Sequence, residues 1–481
     1  MKRIIAFSFA ILAPVTAAFG VARSGMVPMS VPVLAAFSVV PWRDEIVAES
    51  NGRTVVLSPG ELWQAHLYDR AYGDTAIAYG LDIARLRTLI DAKLGRASGA
   101  ELHVQARRVS DTRTSAAPLS AEEGVRAAAQ YLANAQYADG HFRYLVLAST
   151  NEEQGEYNMA RHTGAMFFLA QTLPLGISSD VTSRAYSYMR STLRSCGVHR
   201  CVVMPGENYA TLGASAIGVI ALAEMVSHQS GGAEAREDLQ HLTDFLRSAQ
   251  REDGSFKHIY EFQSNAWMDL NMPYYSGEAT LALARAAEAL QRPSLKSEAA
   301  KSLAHLTHRG WSFFGNKYWA GEEHWTCQAL DALWDTAEAE HALEFCLSWN
   351  RAQRAQQYGP NETPYDSEGA YGLGPWLVPR TTPAASRSEA AGATLAAWNK
   401  RIAAKLSLAD AAEQRALREQ LKASVNYLLR MQLPGRFAPY LVSVDAMRGG
   451  WAGSEADDRV QIDFVQHAGS ALLRWMEIEA Q

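Results

Sequence analysis

The sequence predicts a mainly α-helical protein built as two concentric rings, six inner helices inside six outer ones, with a small α/β or α+β region in front. Three observations carry that prediction. One form of helix end recurs, as LANAQYADGHF at 132–142, FLRSAQREDGSF at 245–256 and LLRMQLPGRF at 428–437. Its copies are regularly spaced: Gln136 to Gln250 is 114 residues, and Gln250 to Gln432 is 182, which is two steps of about 57 and three of about 61. Between these ends lie six segments rich in Ala and Gly and apolar on nearly every side, the pattern of a helix buried among neighbours.

The chain as a whole fits this reading. Its 481 residues are 48% hydrophobic and 20% charged, a globular composition with room for a large core. The formal net charge of −6 leaves no basic surplus, so neither nucleic acid nor an anionic membrane surface is expected as a partner.

From the front, Lys2 and Arg3 precede an apolar run, Ile4 to Phe19, with small residues at Ala17 and Ala18. This reads as a signal peptide over 1–19 and predicts a periplasmic or secreted protein; an N-terminal anchor is the alternative, since a second apolar patch follows at 31–40. No later run approaches a membrane span. Residues 41–110 read strand, loop, helix, strand, with SPGEL placing a Pro inside a first helical turn and no catalytic constellation. A Ser/Thr/Pro-containing linker over 111–120 leads into the helical body at 121–481.

Four cysteines suit an oxidising compartment. Cys196 and Cys201 bracket GVHR, a spacing that a tight loop can bridge, while Cys327 and Cys346 fall at equal height on two helices folded at about 335–339. Two disulfides are expected, with buried thiols the alternative.

The repeated end couples a helix, a Gln, a turn closing on Gly and an aromatic anchor; Gly supplies the positive φ that stops a helix. Weaker ends at 187–197, 301–311 and 343–353 bring the units to about six. Inner helices are expected near 161–170, 211–225, 274–290, 325–334, 389–398 and 465–479.

Helix ends of the form L-x3-Q-x2-D-G-x-F alternating with small-residue helices resemble the α/α-toroid superfamily, which includes terpenoid cyclases, protein prenyltransferases and many polysaccharide lyases, glycoside hydrolases and uronyl epimerases. The resemblance covers roughly residues 120–481 and implies an (α/α)6-type toroid whose site lies at the mouth where the inner helices start. It is specific for fold and leaves the activity open.

That expectation selects residues. The small residues near the six starts are Gly164, Gly213, Gly277, Cys327, Gly392 and Gly469; two positions earlier stand His162, Thr211, Tyr275, Trp325, Ala390 and His467. Ring closure brings the first and sixth units together, so His162 and His467 are expected to face one another. Asp463, four residues before His467, would share its helix face and hold its tautomer. Glu278 adds a carboxylate to an otherwise apolar helix start, where it needs either a partner or a job. Catalysis is therefore expected of His162, Glu278, Asp463 and His467, and substrate binding of Arg161, Asn158, Tyr274, Tyr275, Trp325 and Glu389. Core packing, or the preference of a first turn for acidic side chains, would explain each of them singly.

The reading favoured is an exported enzyme acting on a carbohydrate polymer or cell-envelope glycan by acid/base chemistry of the lyase, hydrolase or epimerase type, without a cofactor. One alternative is a toroid that only binds a glycan, peptide or lipid. Another is a zinc-dependent prenyltransferase-like or cyclase-like enzyme, with zinc on Cys327, Asp463, His467 and His324.

Overall fold

A computed structural model describes residues 27–29, 39, 41–68, 81–95, 102–109, 119–308, 324–360, 362, 366–372 and 378–481. The expected signal peptide at 1–19 and most of the expected linker lie outside these residues.

The front region is a four-stranded antiparallel sheet, β1 (Val27–Met29), β2 (Asp44–Ser50), β3 (Arg53–Leu57) and β4 (His103–Arg108), in the order β1-β4-β2-β3, with helices α1 (Pro59–Gln64) and α2 (Ile83–Leu94). Strand β2 was not expected. It forms a hairpin with β3 through Asn51-Gly52, both at positive φ (50° and 75°), the Asn-Gly turn whose twist matches paired strands. Helix α1 starts on a capping box between Ser58 and Glu61 with Pro59 in its first turn, as SPGEL predicts.

The remaining helices form the toroid. Outer helices α3 (Ala121–Asn134), α5 (Ser179–Ser191), α7 (Gly232–Ala249), α9 (Pro293–His308), α11 (Ala339–Arg354) and α13 (Ala411–Met431) alternate with inner helices α4 (Met159–Gln171), α6 (Leu212–Ser227), α8 (Tyr275–Ala289), α10 (His324–Ala332), α12 (Thr381–Ala403) and α14 (Ile462–Glu479). Each inner helix packs on the next, and α14 packs on α4 to close the inner ring. The sixth hairpin is assembled from the two ends of the toroid, α14 against α3. Inner helices are buried along most of their length; α6 has thirteen buried residues of sixteen, as its all-round apolar pattern requires.

The recurring helix end turns out to be a stitch between outer helices. Gln136 pairs with Phe142 and Gln250 with Phe256 in single antiparallel bridges. Each Gln side chain then crosses to the next outer helix: Gln136 Nε2 donates to the Val181 carbonyl at 3.0 Å and Gln250 Nε2 to the Glu298 carbonyl at 2.9 Å. Gly140 and Gly254, at φ 98° and 89°, lie flat on that helix three residues further on, where a Cβ would come within 2.0 Å of Arg184 O and 2.5 Å of Lys301 O. The same stitch occurs twice more with longer loops. Gln357 bridges Tyr371 and reaches Gln420 O, and Gly369 rests on Ala423; Gln432 bridges Trp451 and reaches Gly124 O, and Gly449 rests on Ala127. The expected pairing of Gln432 with Gly435 and Phe437 is thus replaced by Gly449 and Trp451. Gly435–Tyr440 forms a 3-10 turn of its own, with Phe437 buried against Trp42 and Trp63 of the front region.

Both cysteine pairs are disulfide-bonded, Cys196–Cys201 and Cys327–Cys346, with Cα separations of 6.0 and 5.8 Å. Among the described residues no helix is long and apolar enough to cross a membrane.

Candidate functional site

The starts of the inner helices surround a cavity of about 520 Å³. Its size is that of a small-molecule site. Asn158, Arg161, Tyr274, Tyr275, Glu278, His324, Trp325, Asp463 and His467 all line it.

Glu278 sits in the first turn of α8 with 5% of its surface exposed, and its Oε2 makes no hydrogen bond to any described residue. Burial pushes its pKa up to about 8, opposed by the nearby His467, so at neutral pH it carries a proton. Room for it comes from the neighbouring helix: a Cβ on Gly213 would stand 2.5 Å from Glu278 Oε2 and 2.6 Å from the Tyr275 ring. The small residue at this start therefore makes room for the Glu278 and Tyr275 side chains of the next one.

Tyr274 and Tyr275 enter through a strained turn. Tyr274 has φ 72° and ψ −38°, and the Tyr275 N–H donates to the Pro273 carbonyl at 2.9 Å, closing a γ-turn. Positive φ at a bulky residue costs about 1–3 kcal/mol and persists where surrounding structure imposes it. His258 does so here: the Met272 N–H donates to its Nδ1 at 2.7 Å, and its Nε2 lies 2.9 Å from Ser276 Oγ in the first turn of α8. Burial, helped by Arg251, lowers the His258 pKa to about 4 and keeps the ring neutral for that double role.

His467, on α14, has its Nδ1 2.8 Å from Glu389 Oε2. An ionised Glu389 accepts the Nδ1 proton and leaves Nε2 able to take another. Glu389 is fully buried; burial raises its pKa, and the His467 partnership opposes that rise. The His324 ring lies 5.2 Å from that of His467 at 78°, with Trp325 6.0 Å away. One ligating atom each from His324, Glu389 and His467 lie within 4.8 Å of one another.

Three expectations are corrected. His162 is fully buried and absent from the cavity wall: the Tyr157 hydroxyl donates to Nδ1 at 2.7 Å, and Nε2–H donates to Ala185 O at 2.9 Å. Burial pushes its pKa down to about 4, so it is a neutral, fully satisfied core histidine. Asp463 does not hold His467; its Oδ2 accepts from Arg161 Nε at 2.9 Å across the closing seam, and Glu389 takes the expected place. The set Cys327, Asp463, His467 and His324 is not assembled as ligands, because the Cys327 sulfur is bonded to Cys346 and Asp463 is turned to Arg161.

The sequence reading also missed cavity residues. Helix α12 begins at Thr381, two turns ahead of the expected start, so Arg380, Thr382, Pro383 and Ser386 reach the wall, and Glu389 lies deeper. Asp457 accepts from Arg380 at 3.3 Å. Gln461, just ahead of α14, lines the wall as well.

No family model matches the chain, and no curated protein matches it in sequence. Solved structures do match in fold. A D-mannose isomerase superposes with TM-score 0.54 at 13% identity, covering 74% of this chain and 97% of that one. A cellobiose 2-epimerase from Bacillus thermoamylovorans gives 0.52 at 11%, over 74% and 99%. An α-1,6-mannanase from a Salegentibacter species gives 0.50 at 11%, over 75% and 99%. The chain has the α/α-toroid fold of these proteins.

Proposed function

We propose that the protein is a carbohydrate-active enzyme that moves protons on a sugar by general acid/base catalysis, of the isomerase or epimerase type. One observation carries the reading: a carboxyl group held protonated, Glu278, shares a cavity with a histidine held by a buried carboxylate, His467 on Glu389. Chemistry that removes a proton at one position and supplies one at another needs such a pair with different affinities for the proton. His467 Nε2 is the base, Glu389 positions it, and Glu278 is the acid. Arg161, Asn158 and Tyr274 offer polar contacts to sugar hydroxyls, and Tyr275 and Trp325 offer faces for the ring. Two solved structures that share the fold, a D-mannose isomerase and a cellobiose 2-epimerase, support the substrate class and reaction type. The apolar N-terminal run and the two disulfides support export to the periplasm or beyond.

The test is proton exchange. Incubating the protein in D2O with a panel of reducing mono- and disaccharides and following the spectra by NMR should show deuterium entering one sugar as an isomer or epimer accumulates. Glu278→Gln and His467→Ala should each slow that by about 10²–10⁴-fold while the folded circular-dichroism spectrum is kept. A protein that binds sugars yet exchanges no proton on any of them is a binding module, and the proposal fails.

A further inference from the structure

We propose that His324, Glu389 and His467 form a binding site for one divalent metal ion of the zinc type in the cavity wall. They project from three separate inner helices, α10, α12 and α14, and converge so that one ligating atom from each lies within 4.8 Å of the other two. Zinc bonds of about 2.0–2.2 Å to imidazole and carboxylate put tetrahedral ligand atoms about 3.3 Å apart. Each ligand therefore moves by no more than about 1 Å to close on an ion. The 2.8 Å contact between His467 Nδ1 and Glu389 Oε2 already sets two of the three ligand atoms side by side.

A second observation points the same way. Glu389 is fully buried, yet its Oε1 has no hydrogen-bond partner among the described residues. A buried carboxylate oxygen without a donor is costly, and a cation is one of the few things that satisfies it. Two nitrogens and one carboxylate match zinc, cobalt or nickel better than magnesium or calcium, which take oxygen ligands. Three protein ligands, two of them (His324 and His467) on the cavity wall and Glu389 behind them, leave a fourth position open, the arrangement in which a metal meets water or substrate.

The consequence rests on the proton-transfer reading. An ion on His467 and Glu389 removes the base and the group that orients it, so occupancy inhibits turnover. Binding itself can be read without substrate. Isothermal titration of the full chain with Zn²⁺, after treatment with a chelator, should show one equivalent bound. Replacing either histidine by Ala should weaken binding at least tenfold, as should Glu389→Gln, which preserves shape. His241→Ala, on the outer surface, should leave it unchanged. Absence of stoichiometric binding, or binding that all three changes leave intact in folded protein, overturns the site. If Zn²⁺ binds at one equivalent and turnover continues, the site stands and the role of His467 as base falls. If no Zn²⁺ binds while His467→Ala abolishes turnover, the site falls and the base stands.

Discussion

At the scale of single residues, Glu278 makes the most distinctive claim. It faces His467, Tyr275, Arg161, Asp463 and His324 around the cavity, and burial still holds its pKa near 8. The folded pKa lies above that of an unfolded glutamate, so the folded state binds this proton more tightly. The stabilisation is complete below about pH 4.5 and is lost as pH climbs toward 8. At pH 7 the loss is on the order of 3 kcal/mol. Glu278→Gln, which cannot ionise, should therefore unfold at higher denaturant than the natural protein at pH 7 and at nearly the same denaturant at pH 4.5. A gap that does not change between those two pH values would show that Glu278 is ionised in the fold. Turnover should fall above about pH 8 for the same reason, as the acid loses its proton.

Elements tell a different story about what a sequence reveals. The six inner helices were legible because an all-round apolar helix can only be buried, and because a ring of closely packed starts needs a small residue at each. That alignment fixed the height of each start and left its rotation open. Tyr275, Trp325 and His467 stand two residues before their small residue and reach the cavity; His162 stands at the same offset and points into the core, where Tyr157 and Ala185 satisfy it. One residue is about 100° of rotation on a helix, so Arg161 faces the cavity instead. The partners that decide such a rotation are distant in sequence, and Glu389, 78 residues from His467, could not be assigned to it without the ring. Helix α10, nine residues long among the described residues, carries His324 and Trp325, and the Cys327–Cys346 disulfide fastens it to α11. Closing a loop of 19 residues contributes about 3 kcal/mol. Changing both cysteines to Ser should reduce stability by that amount in denaturant titrations and weaken sugar binding more than the loss of Cys196–Cys201 does. Equal effects from both pairs would mean that the anchor does not serve the site.

For the molecule as a whole, the decisive step is closure of the ring, since the cavity exists only if α14 meets α4. Arg161 and Asp463 face each other across that seam at 2.9 Å. Behind it, the outer ring is closed by the last stitch, Gln432 on the Gly124 carbonyl at 2.9 Å and Gly449 against Ala127. The front region packs beside the stitch: Trp42 meets Trp63 and Tyr440 at a tilt and Phe437 edge to face, and its Nε1 donates to Glu455 O at 2.7 Å. Gly449 has φ 89°, and a Cβ there would come within 2.0 Å of Ala127 O, a backbone atom that cannot swing aside. Gly232 also has positive φ, 63°, but nothing lies within 4 Å of its would-be Cβ. The two glycines separate backbone strain from ring closure. Gly232→Ala should cost about 1 kcal/mol, whereas Gly449→Ala should add the displacement of α3 and cost several kcal/mol. The second change should also raise the KM for sugar before it lowers kcat, because it opens the Arg161–Asp463 seam without touching Glu278 or His467. Equal losses of stability for the two variants in denaturant titrations would mean that the seam tolerates the shift and that the toroid is held shut by its inner helices alone.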